Sequence, residues 1–222
     1  EIQAFEEVYQ DSAILLAKKA ALAFESGKSI GPFHGIPFVL KDIFDVQDKI
    51  TTSGSKLFNK EVAKSTSSMA KHLLDAGGIL LGKSKTVQFA FGGWGTNQEM
   101  GTPRNPWDNK KHRICGGSSS GSAAALASNL TVCATGTDTG GSVRLPASFC
   151  GLTGLKVTKG LLSTKGIAPL SHTLDTPGPM ARSLLDLVIM FETMKGAQGT
   201  KLEENMLQER GLFKSIEEGV EG

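Results

Sequence analysis

The chain has 222 residues, of which 39% are hydrophobic and 21% charged, with a formal net charge of +2. That length supplies one substantial core or two small ones, in the composition of an ordinary globular protein. The near-neutral charge, the lack of a Lys/Arg stripe and the lack of an apolar run of roughly 20 residues argue against nucleic-acid binding and against a membrane span.

Residues 4–26 are predicted to be a helix, because Ala, Leu and Lys dominate from Ala13 to Ala23 and Gly27 offers a stop. The opening Glu1-Ile2-Gln3-Ala4 shows no charged segment followed by an apolar one, so no signal peptide is expected. Residues 31–35 read as a loop, and Ile36 to Leu40 as a short buried strand that ends at Lys41-Asp42. Ser67 to Ala76 is predicted as a helix, stopped by Gly77-Gly78, and Ile79 to Leu81 as a strand. Residues 91–117 lack periodicity and read as loop. Ala123 to Ser128 is a helix of small residues opening from a Gly/Ser loop, and Val132 to Thr135 is a third buried strand. A second Gly/Ser loop covers 136–154, Leu155 to Val157 is a further strand, and Leu184 to Lys195 an amphipathic helix. Alternating strands and helices predict an α/β fold. Residues 196–222 differ from the rest. They are charged and Gly-punctuated, and they form either a helix over Glu203 to Glu218 or a tail.

The three cysteines, Cys115, Cys133 and Cys150, are odd in number and unclustered. Buried free thiols in a reducing compartment are expected, not a disulfide framework or a zinc site. His34, His72, His112 and His172 share no spacing and are assigned no catalytic or metal role.

Three motifs compete for the function. Residues 77–84 fit G-x4-G-K-[ST], the phosphate-binding loop. The middle of that stretch is Ile-Leu-Leu, which is a strand and not a loop with free amides, so nucleotide binding is set aside. Gly117-Ser118-Ser119-Ser120-Gly121 fits the nucleophile elbow, with Ser119 central and Asp138 or Asp175 and His172 downstream. The preceding His112 to Cys115 is too weak a strand for that geometry. The third reading joins the loops 116–122 and 136–144 to the upstream Gly35-Ile36-Pro37-Phe38-Val39-Leu40-Lys41-Asp42.

At these residues the chain resembles the amidase signature family, from about Gly31 to Ser183. Thr51-Thr52-Ser53-Gly54-Ser55, Asn105-Pro106-Trp107, Ala147-Ser148-Phe149-Cys150-Gly151 and Asp175-Thr176-Pro177-Gly178-Pro179 appear in the family's order. The resemblance implies a mixed β-sheet core flanked by helices. It also implies a hydrolase of linear amides, extending to esters, that uses a Ser-cis-Ser-Lys triad. Carried over by motif, Ser142 is the nucleophile, Ser118 the bridging serine 24 residues before it, and Lys41 the base. A lysine acts as base only when neutral, so burial must lower its pKa from about 10.4. The amides of Thr139, Gly140, Gly141 and Ser142 are candidates for the oxyanion site. Ser119, Asp138 and Arg144 are expected to support the loop.

Members of the family are usually longer, so residues 1–195 are expected to be only the N-terminal portion of the domain. No cofactor or metal is called for. The expected partner is a small-molecule amide, with a homodimer as one option, and the expected location is the cytoplasm. Residues 89–98 lean toward free-standing amidases. The alternatives are the A subunit of a tRNA-dependent amidotransferase and a truncated, catalytically silent relative.

Overall fold

A computed structural model describes residues 2–196. The elements in chain order are β1 (Phe5–Val8), α1 (Gln10–Glu25), β2 (Pro37–Lys41), α2 (Ser68–Asp75), β3 (Ile79–Ser84), α3 (Ser120–Ala127), β4 (Cys133–Asp138), α4 (Arg144–Phe149), β5 (Thr153–Gly154), β6 (Thr176–Ala181) and α5 (Leu184–Met194). The strands form one mixed sheet in the order β1-β3-β2-β4-β6-β5. The centre, β3-β2-β4, is parallel, and β1, β6 and β5 run antiparallel to their neighbours. Helices flank this sheet, as the α/β reading anticipated.

Period-2 alternation sends neighbouring residues of a strand to opposite faces. On β2, Phe38 and Leu40 enter one core with Phe33, Met69, Leu73 and Met190. Val39 enters the other, with Ala123 to Leu126, Ala134, Val143 and Met180. α3 is buried from Ser120 to Leu126, and its run of small residues lets it lie close to the sheet. The sheet thus carries Lys41 at the end of a central strand and α3 directly behind it.

Three expectations need correction. The predicted helix over 4–26 begins only at Gln10. Phe5–Val8 pairs with Gly82–Ser84 instead, since the helix-forming run starts at Ala13 and the residues before it gain more from the sheet edge. The strand placed at Leu155 to Val157 lies at Thr153–Gly154, and Leu155 adds only one hydrogen bond, from its amide to the Pro179 carbonyl. β6 was not foreseen, because Pro177 and Pro179 argue against an interior strand. Pro179 turns its carbonyl to Leu155, so the positions lacking N–H groups face the β5 side, where only two residues pair. The full ladder to β4 runs on the other side. The helix or tail expected over 203–218 lies outside the described residues.

Candidate active site

Lys41 closes β2 and is fully buried. Its main-chain N–H donates to Thr135 Oγ1 (3.0 Å), and its Nζ donates to Ser118 Oγ (2.7 Å) and Thr137 Oγ1 (2.9 Å). Thr135 and Thr137 share a face of β4 because they are two residues apart. Thr137 was not anticipated as a partner of Lys41, although the alternation over 133–138 carries the signal.

The next residue, Asp42, forms its ion pair with Lys83 (3.0 Å), both side chains being 1% exposed. Asp42 also accepts hydrogen bonds from the Thr52 amide and hydroxyl. Two buried lysines thus differ sharply. Lys83, from the rejected phosphate-loop motif, lies on β3 with a carboxylate partner, whereas among the described residues Lys41 Nζ hydrogen-bonds to hydroxyls alone. Burial lowers the Lys41 pKa to about 7, with Asp175 and then Asp138 acting against that shift.

Ser118 belongs to the segment 116–119, where the Gly117–Ser118 peptide is cis. The Ser118 carbonyl accepts from Val87 N (3.2 Å) and Thr86 Oγ1 (3.1 Å), and Gly117 N donates to the Gly93 carbonyl (2.7 Å). A Cβ on Gly117 would lie 2.6 Å from the Gly92 carbonyl oxygen and 2.6 Å from Gly95 N, so no larger residue fits there.

Ser142 precedes α4 and is half-buried. Its carbonyl accepts from Ser119 N (3.3 Å) and Ser119 Oγ (2.6 Å), which holds the two serine loops together. The structure therefore joins Lys41 to Ser118 directly and Ser118 to Ser142 through the adjacent Ser119. Among the described residues, no hydrogen bond reaches the Ser142 hydroxyl. Ser119 spends its own hydroxyl on that carbonyl, and the His172 ring is exposed and makes no hydrogen bond to it. Among the described residues no nucleophile elbow with a histidine base is assembled.

Asp138 grips the loop 141–144. It accepts from the amides of Gly141 (2.7 Å), Val143 (3.2 Å) and Arg144 (3.3 Å), and from Arg144 Nε (2.9 Å) and Nη2 (3.0 Å). Burial alone would raise the carboxyl, but the Arg144 contact and these amides outweigh it and hold Asp138 below the usual carboxylate range. This corrects one expectation. The Gly141 N–H points at Asp138 and is not available to an oxyanion. The amides of Thr139, Gly140 and Ser142 make no hydrogen bond among the described residues, so the free donors are these three.

A cavity of about 240 Å³ opens beside Thr137, lined also by Ile43, Ala90, Ile167, His172 and Asp175. Two further motif residues brace the end of α4. Asn105 Nδ2 donates to the Phe149 carbonyl (2.9 Å) and Trp107 Nε1 to the Cys150 carbonyl (2.8 Å), latching residues 105–107 to the end of α4. The three cysteines are buried free thiols. No cluster of three or more His, Cys, Asp or Glu among the described residues could hold a metal ion.

Residues 1–217 match the profile of the family described as Amidase. The chain is 41% identical over 196 residues to the A subunit of a glutamyl-tRNA(Gln) amidotransferase from Thermobifida fusca, a match covering 88% of this chain and 39% of that protein. It is also 41% identical over 182 residues to a 2-amino-5-chloromuconic acid deaminase of Comamonas testosteroni, covering 80% of this chain and 39% of the relative. Among solved structures, the native peptide amidase of Stenotrophomonas maltophilia superposes with a TM-score of 0.79 at 38% identity, covering 86% of this chain and 40% of that one. The chain spans about two fifths of the length of these relatives.

Proposed function

The chain belongs to the amidase family, and on that premise we propose that it cleaves a carbon–nitrogen amide bond through an acyl-enzyme on Ser142. The observation that carries this reading is the buried Lys41. Among the described residues it has no carboxylate in contact; it lies 2.7 Å from the Ser118 hydroxyl and has its pKa lowered to about 7. Such an amine is neutral in a large fraction of molecules at neutral pH, and its lone pair can accept the Ser118 proton.

The steps follow from that contact. Ser118 passes its proton to Lys41 Nζ and takes the Ser142 proton as the Ser142 oxygen attacks the substrate carbonyl. The free amides of Thr139, Gly140 and Ser142 receive the oxyanion. Collapse breaks the C–N bond, and the proton returns through Ser118 to the departing amine. Water then attacks the acyl ester by the same route and releases the acid. Ser119, Asp138 and Arg144 hold the loops in place. All these residues fall within 1–195, which we take as a portion of one domain. A small-molecule amide as substrate, the cytoplasm as location and a homodimer as assembly belong to the same proposal. No helix among the described residues is long and apolar enough to cross a membrane.

One observation favours a second reading, in which the chain acts within a tRNA-dependent amidotransferase. Relatives of that kind match as well as the deaminase does, at 41% identity each, so overall identity does not separate the two. In either reading Ser142 is acylated.

Incubation with a simple aryl amide, acid quench and peptide mass analysis tests this. Acyl mass is expected on the Ser142 peptide, and His172→Ala is expected to retain the rate within about threefold, since the exposed His172 ring makes no hydrogen bond with any of the three residues. Acylation at Ser119, or loss of acylation in the histidine variant, would overturn the triad.

A further inference from the structure

We propose that Asp175 is a positioning residue for this reaction: its carboxylate tethers Thr139 and so sets where the first free amides of the oxyanion loop lie. The inference rests on the Lys41–Ser118–Ser142 reading and goes beyond it.

The geometry begins with the β4–β6 ladder, which ends at the pair Asp138↔Thr176. The next antiparallel pair in that register is Thr139 with Asp175. There the backbone pairing stops and a side-chain hydrogen bond takes over, with Thr139 Oγ1 donating to Asp175 Oδ1 at 2.5 Å. The carboxylate is itself fixed. Leu170 N donates to Oδ2 (2.9 Å), and Ser171 N reaches both oxygens (3.0 Å each). Among the described residues this is the sole hydrogen bond made by the Thr139 side chain, and the Thr139 amide makes none. Asp138 secures the loop from Gly141 onward but makes no bond to Thr139 or Gly140. The start of the loop, with two of the three free donors, therefore depends on Asp175. An error of about 1 Å in such donors is enough to cost a large part of their effect on a transition state.

Asp175 also acts at a distance on the base. Among the described residues the charged groups around Lys41 are few. Asp138 lies on β4 and is neutralised in part by Arg144. Asp42 and Lys83, on β2 and β3, compensate one another. α3 and the loop before it present hydroxyls. His172 lies across the cavity that Asp175 and Thr137 line. Asp175 is the largest of the charges that favour the protonated amine, ahead of Asp138. Removing its charge should make Lys41 easier to deprotonate.

The experiment measures the rate of Ser142 labelling by a fluorophosphonate, a single acylation needing no turnover, from pH 5 to 9 in the unmodified chain, Asp175→Asn and Thr139→Val. The unmodified chain should label faster as pH rises, with a midpoint near 7. Asp175→Asn sets an NH2 against the Leu170 and Ser171 amides, which displaces the side chain from Thr139, so it should lower the plateau by about tenfold or more and move the midpoint to lower pH. Thr139→Val should lower the plateau similarly with the midpoint unmoved. Wild-type plateaus in both variants would overturn the proposal. So would slower labelling in Asp175→Asn with an unmoved midpoint, since a merely structural role predicts that. Should Asp175→Asn fail to fold, Thr139→Val decides: a lower plateau at an unchanged melting temperature supports the tether, and a wild-type plateau refutes it. An unmodified chain that never labels at Ser142 overturns the catalytic reading itself, a result distinct from all of these.

Discussion

Replacing Lys41 by methionine should abolish acylation of Ser142 and at the same time make the fold more stable. The two effects have one cause. Lys41 is fully buried and, among the described residues, has no carboxylate in contact, so its pKa falls from 10.5 to about 7. In the unfolded chain the amine titrates normally. Between pH 7 and 10.5 the unfolded state therefore binds more protons, and stability rises with pH across that window. Below pH 7 the cost of burying the amine is complete, about 5 kcal/mol at most; above 10.5 it vanishes. Methionine fills a similar volume and carries no charge. It forfeits the hydrogen bonds to Ser118 and Thr137, which offsets about 2 kcal/mol. The variant should thus melt higher than the unmodified chain at pH 6, with the gain shrinking toward pH 10. Loss of the base should slow acylation by about 10²–10⁴-fold. Thermal melts at the two pH values, run beside the labelling assay, check both halves. A variant that is inactive and also less stable at pH 6 would mean that Lys41 serves the fold and not the reaction.

Ser142→Ala should remove acylation entirely while leaving the melting temperature within about 1 °C, because the Ser142 hydroxyl makes no hydrogen bond among the described residues. The contrast is Ser119→Ala. Ser119 binds the Ser142 carbonyl through both its amide and its hydroxyl, and the variant loses the shorter of the two contacts. It should label more slowly but still at Ser142, and it should melt lower, by an amount typical of one buried hydrogen bond, about 1 kcal/mol. Intact-mass analysis after labelling, with circular dichroism melts on the same samples, reads all of this. Residual labelling of the Ser142→Ala chain at Ser119 would reverse the roles of the two serines.

Much of this was legible in the sequence, for identifiable reasons. β2 and β3 are short apolar runs bounded by Pro, Gly and Lys, and α2 and α5 are amphipathic, so pattern alone located them. The order of the motifs brought Lys41, Ser118 and Ser142 forward before any geometry. What escaped depends on tertiary neighbours. β1 looks like the start of a helix until β3 offers it a partner. β6 contains two prolines whose missing donors matter only if one knows which edge they face. Gly141 resembled an oxyanion donor, but the reach of the Asp138 carboxylate is not written in the spacing of the loop. The alternation along β4 places Thr137 on the face of Thr135, but its contact with Lys41 on β2, like that of Thr139 with Asp175 just past β4 and β6, depends on which strands become neighbours.

The mechanism turns on the charge of one amine. The most direct measurement is an NMR titration of the chain carrying ¹³Cε-labelled lysine, with the Lys41 signal identified by its absence in Lys41→Met. A midpoint near pH 7 is the predicted result. A midpoint near 10, about the value of an exposed lysine, would leave Ser118 and Ser142 without a base at neutral pH and would contradict the mechanism.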